Sequence, residues 1–147
     1  MVATLFTIGF SKKNAEQFFG LIKSNNVKLV IDIRLNNVSQ LAGFTKRDDL
    51  KYFLKYLCDC DYMHKPTWAP TKDILDNYKT KVIDWDTYVK KFKLLIEHRA
   101  IQSDVSLKQL DHACLLCSES TAAKCHRRLI AEHLQSFNKG ALVVNHL

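Results

Sequence analysis

Only four glycines and two prolines occur in 147 residues, and no Gly-, Pro- or Ser-rich stretch marks a linker, so residues 1–147 read as one domain. No apolar run approaches the ~18 residues of a membrane-spanning helix. The opening Met1-Val2-Ala3-Thr4-Leu5 lacks the series of basic segment, apolar run and cleavage site that marks a secreted chain. A cytoplasmic location without membrane contact is expected. Five cysteines, an odd number, are too sparse for a disulfide-built scaffold and are expected as reduced thiols. Internal repeats and low-complexity tracts are missing. So are the Gly-x-Gly-x-x-Gly and Walker patterns, and no cofactor is expected.

Apolar side chains are plentiful. Hydrophobic residues make up 47% and aromatics 10%, enough for a core without metal or disulfide support. Twenty-two basic residues against 15 acidic ones give a net charge of +7 and a pI near 9.2, which favours anionic partners such as nucleotides, nucleic acid or phosphate esters. Lys51, Lys55, Lys90, Lys91 and Lys93 are scattered at helical spacing and read as solvated faces.

The apolar periodicity alternates between two types. Thr4–Ile8 predicts a strand ending at Gly9, and Ala15, Phe18, Phe19 and Ile22 predict a helix capped by Ser11. The β-branched run 28–33 predicts a strand buried on both faces. Leu50, Phe53, Leu54 and Leu57 mark a second helix, and Tyr62-Met63-His64 a short strand. Helices are expected over 72–80 and along the Trp85–Ile96 stripe, a strand over 112–117, a helix from Cys125, and a last strand over 141–145. This alternation predicts an α/β fold with one mostly parallel sheet and helices on both faces, Rossmann-like and doubly wound.

In such sheets ligands bind beyond the carboxyl ends of the strands. Four clusters fall there: Gly9-Phe10-Ser11, Asp32-Ile33-Arg34, His64 with the Pro66–Trp68 loop, and Cys117-Ser118-Glu119 with Cys125-His126-Arg127. A cysteine in the first turn of a helix has its thiolate stabilised by the helix dipole and free N–H groups, so Cys125 beside Arg127 is the candidate nucleophile; a small core residue is the alternative. Glu119 is a candidate acid or base, or else a capping carboxylate. His126 and His64 are candidates for proton transfer, and Cys117 for supporting the thiol. Arg34 and Arg127 suit bidentate anion recognition; an ion pair of Asp32 with either arginine is the competing reading. Gly9 and Ser11 open a helix and offer backbone N–H groups to an anion. Cys114, Cys117, Cys125 and His126 have the composition of a zinc ligand set, but residues three apart in a strand point to opposite faces. No metal is expected. Tyr62, His64 and Trp68 could stack on a ring or close the core.

The motifs occur in a recognisable order: Phe6-Thr7-Ile8-Gly9, Asp32-Ile33-Arg34, Leu41-Ala42-Gly43-Phe44, His64-Lys65-Pro66, Ala69-Pro70-Thr71-Lys72, Leu116-Cys117-Ser118-Glu119 and Cys125-His126-Arg127-Arg128. The chain resembles the domain-of-unknown-function family 488. That resemblance implies an α/β fold and a site at the paired cysteines, of metal or reactive-thiol type. Phe10 stands where many members carry His, so a proton-transfer role there passes to His64 or His126. The function expected is an enzyme acting on an anionic substrate, a nucleotide or nucleic-acid component, as a thiol-dependent transferase or hydrolase. The alternatives are a non-catalytic nucleic-acid-binding module using Lys12, Lys13, Lys46 and Arg47, and a structural metal-binding domain.

Overall fold

The computed structural model describes residues 1–38 and 43–147. Five strands, β1 (Ala3–Gly9), β2 (Leu29–Asp32), β3 (Asp61–His64), β4 (Ala113–Cys117) and β5 (Leu142–His146), form one sheet in the order β3-β2-β4-β1-β5. Every pairing is parallel. Parallel neighbours cannot be joined by hairpins, and six helices make the connections: α1 (Ala15–Ser24), α2 (Arg47–Cys58), α3 (Lys72–Lys79), α4 (Trp85–Arg99), α5 (Leu107–Leu110) and α6 (His126–Asn138). No helix among the described residues is long and apolar enough to cross a membrane.

The two sheet faces carry separate cores. Phe6 and Ile8 of β1 with Cys114 and Leu116 of β4 meet Phe18, Phe19 and Ile22 of α1 and Leu50 and Leu54 of α2. On the other face, Leu5, Leu115 and Cys117 meet Ile74 of α3, Phe92 and Ile96 of α4, and Leu129, Ile130 and Leu134 of α6. Cys114 and Cys117 therefore point to opposite sides, as period-two alternation requires. The fold is doubly wound, as the sequence predicts. One boundary differs: α1 is capped by Asn14, whose side chain accepts from the Gln17 N–H while the Gln17 side chain accepts from the Asn14 N–H. Asn at that position makes the reciprocal box with Gln three residues on, and Ser11 is left in the preceding turn.

Strand order fixes where a ligand can sit. β4 lies between β1 and β2. The helices that follow β1 and β2 cover one face, and the helix that follows β4 covers the other. Chain segments leaving these neighbouring strand ends diverge, which opens a crevice at the carboxyl end of β4. In register, Gly9 lies opposite Cys117 and Asp32 opposite Leu116.

Candidate functional site

Cys117 is the last residue of β4, and after the Ser118–Lys124 loop Cys125 is the N-cap of α6, in extended conformation. It precedes the first helical turn by one residue, and its side chain makes no bond to the helix amides. Its sulfur meets that of Cys117 instead, in disulfide contact. Cys58, Cys60 and Cys114 are free. Burial raises those three thiols, Cys60 to about 12, as for structural cysteines.

Arg127 lies beneath the sulfurs with no exposed surface. Its Nη1 donates to Cys117 Sγ at 3.3 Å, to Cys125 Sγ at 3.8 Å and to the Glu119 carbonyl. Its Nε donates to Thr7 Oγ1 at 3.2 Å. The Thr7 hydroxyl also shares a hydrogen bond with His146 Nδ1 at 2.6 Å. The Arg127 Nη2 group is buried with no hydrogen-bond partner among the described residues, and no carboxylate pairs with the guanidinium. A buried cation without a counter-charge costs several kcal/mol, roughly, so an adjacent thiolate is its natural electrical partner.

His126 opens α6. Its Nε2 lies 2.7 Å from the Ile33 carbonyl, and because a carbonyl only accepts, that nitrogen carries the proton and Nδ1 keeps the lone pair. Burial, with help from the Arg127 charge, lowers its pKa to about 4 against the opposing pull of the Ile33 bond. The imidazole is neutral at neutral pH and acts as an acceptor. The two sulfurs and a His126 ring nitrogen lie within 4.8 Å of one another.

Asp32 and Arg34 form a buried bidentate pair, Nε to Oδ1 and Nη2 to Oδ2 both at 2.8 Å. Arg34 Nη2 also donates to the Thr45 carbonyl at 2.7 Å, and the guanidinium lies 5.5 Å from the Phe10 ring centre. The Tyr62 hydroxyl donates to Asp32 Oδ2 at 2.6 Å, so Tyr62 serves this pair rather than a ligand ring. His64 bonds the Arg34 carbonyl through Nε2, and Trp68 is buried with its indole N–H on Asp104.

A cavity of about 580 Å³ opens above the sulfurs. Of the candidates named from sequence, Arg34, Cys117, Glu119, Cys125 and His126 line it. Arg127 supports its floor from behind. Gly9 lies under the loop: a Cβ there would collide with the Glu119 carbonyl and the Arg127 guanidinium, so its missing side chain makes room for both. Ser11 lies apart, in a shallow recess beside α1, although its N–H ties the loop at Ser118. Lys13 Nζ donates to the Gly9 carbonyl and Arg47 pairs with Asp48, which spends two of the four cations of the nucleic-acid surface on local partners. Sequence reasoning missed Thr7, His146 and the aromatic wall of Tyr78, Trp85 and Tyr88. Only strand pairing brings His146 beside Thr7.

The sequence model of the domain of unknown function DUF488 matches residues 14–134. Leu41 and Ala42 of the shared motifs lie outside the described residues. Neither the curated proteins nor the solved structures contain a match.

Proposed function

The chain belongs to the DUF488 family, and from that premise we propose that it is a thiol-dependent enzyme acting on an anionic substrate, a nucleotide or nucleic-acid component, in the cavity above Cys117 and Cys125. The observation that carries this is the fully buried Arg127 guanidinium, without a carboxylate partner among the described residues and in contact with both sulfurs. Such a cation lowers a thiol pKa and holds the nucleophilic form. In the reduced pair, Cys125 attacks an electrophilic phosphorus or carbon. An S–substrate bond forms as the bond to the leaving group breaks. Glu119, at the cavity rim, gives the leaving group its proton and then takes one from the water that displaces sulfur. The Cys125 thiol gives its proton to water in the open cavity, and the adjacent Arg127 guanidinium holds the thiolate. The cavity, with Lys79 and Lys124 in its wall and outside any ion pair among the described residues, attracts the anion.

Alkylation rate against pH, after reduction with a dithiol, tests the proposal. Wild-type Cys125 is expected to react well below the pH of a free cysteine, whose pKa is ~8.5, and Arg127→Gln is expected to remove that shift. If neither Cys117 nor Cys125 outpaces a free cysteine near neutral pH, the nucleophile is lost.

A second reading is favoured by the cluster of Cys117, Cys125 and His126. Two thiolates and an Nδ1 whose partner nitrogen is held by a backbone carbonyl suit a zinc-class ion, with a fourth position open to the cavity. Cys114, on the far face, takes no part. Protein purified without added metal would then carry one equivalent of ion, and chelation would free two thiols. A metal-free preparation with two fast-reacting thiols selects the first reading.

A further inference from the structure

The cavity has a wall whose chemistry differs from that of its floor. Lys72, Leu75, Asp76 and Lys79 recur at i, i+3, i+4 and i+7, so one face of α3 looks into it. At the start of α4, Trp85 and Tyr88 stack with ring centres 4.9 Å apart and planes 18° from parallel. Tyr78 leans on both, at 5.7 and 5.0 Å. Tyr88 is buried, but Tyr78 and Trp85 are only half-buried and line the cavity. Trp68, by contrast, is fully buried elsewhere. Lysines line the same cavity as the rings. Lys72 is paired with Asp76 at 3.0 Å, whereas Lys79 and Lys124 enter no ion pair among the described residues. The cavity is bounded by α3, the start of α4, the segment after β2 and the Ser118–Lys124 loop.

We propose that this wall is a ring-binding subsite, and that the ligand is of mononucleotide class: a base stacked on Trp85 and Tyr78, with its phosphate held by Lys79 and Lys124. The inference rests on the reading of the cavity as the substrate site and adds the chemical class that enters it. Three observations carry it together. An aromatic cluster left half open in a concavity offers flat apolar area that a ringless anion would leave wet. Lysines without partners favour a phosphate over a neutral ring. A volume of about 580 Å³ lies in the range of small-molecule sites, and walls on four sides suit a single nucleotide better than a running strand.

Trp85 fluorescence supplies the readout, because the other tryptophan is buried away from the cavity. The reduced full chain is titrated with AMP, adenosine, inorganic phosphate and a short oligothymidylate. AMP is expected to quench saturably, and adenosine and phosphate to bind at least about tenfold more weakly, the order of a stacking contribution. Trp85→Ala and Lys79→Gln are each expected to weaken AMP binding about five- to tenfold by calorimetry, and Trp85→Phe to retain it. Lys79 is exposed, so its variant reports on binding even if Trp85→Ala fails to fold. The subsite is overturned if phosphate binds as well as AMP, if Lys79→Gln binds AMP like wild type, if a folded Trp85→Ala does so, or if only the oligothymidylate binds, with steep salt dependence. AMP binding with unreactive cysteines would remove the nucleophile and leave the subsite. Reactive cysteines without AMP binding would do the reverse.

Discussion

Gly9 and Arg127 depend on one another. A methyl group at Gly9 must displace either the Glu119 carbonyl or the guanidinium, and a backbone carbonyl in a packed loop yields little. Gly9→Ala is expected to cost about 2 kcal/mol of stability in urea denaturation, and to slow Cys125 alkylation as Arg127 is pushed aside. Full stability with wild-type reactivity would contradict the contact. His126 supports a second prediction, on pH. Its folded pKa near 4 lies below its ordinary 6.5, so between these values the unfolded chain binds a proton that the folded chain refuses. Stability is then intact above about pH 6.5 and declines as pH falls toward 4. The upper limit is about 3 kcal/mol at roughly 1.4 kcal/mol per pKa unit, less because one edge of the ring faces the cavity. His133 and His146 are lowered by burial too, so the comparison is with His126→Gln, whose stability profile is expected to be flatter over that interval. At this scale the sequence revealed Cys117, Cys125, Glu119 and His126, because strand ends and helix starts are legible as local pattern. The Asp32–Arg34 pair was legible too, as one of the two ion pairs open to Asp32, because the partners stand two residues apart; that Arg127 meets the sulfurs was not, since that contact depends on how the Ser118–Lys124 loop folds back.

The elements were legible to within about three residues wherever the period was strong, as in the Trp85–Ile96 stripe that became α4 and the apolar run that became β4. The start of α1 was not, because Ser11 and Asn14 are both good capping residues and only the reciprocal bond with Gln17 decides between them. Asn14→Ala is expected to destabilise the protein by about 1 kcal/mol in thermal or urea unfolding, whereas Ser11→Ala should lose no cap. Equal losses would contradict the assignment. The excursion of α3 and α4 was visible as two amphipathic stretches. That its aromatic side chains line a cavity was not visible, because periodicity records which residues share a face and is silent about whether a cavity lies beside it.

For the molecule as a whole, strand order divides the sheet into a centre and two margins. β4 and β1 each have neighbours on both sides, while β3 and β5 are edges. Amide exchange is expected to follow that division, with Leu115 and Ile8 exchanging only on global unfolding and Val143 and Tyr62 well before; uniform protection across the five strands would count against the order. The doubly wound class was legible from alternation alone. The insertion of β4 between β1 and β2 was not, because nothing local to a buried strand names its neighbours. That insertion bears on how the protein is made. Both partners of β1 lie more than a hundred residues downstream, so during synthesis β1 stays unpaired until β4 and β5 have been made. An apolar segment waiting that long invites stray association. The corner around Cys117 and Cys125, which needs Gly9 beneath Glu119 and Arg127, can take shape only after α6 has been made.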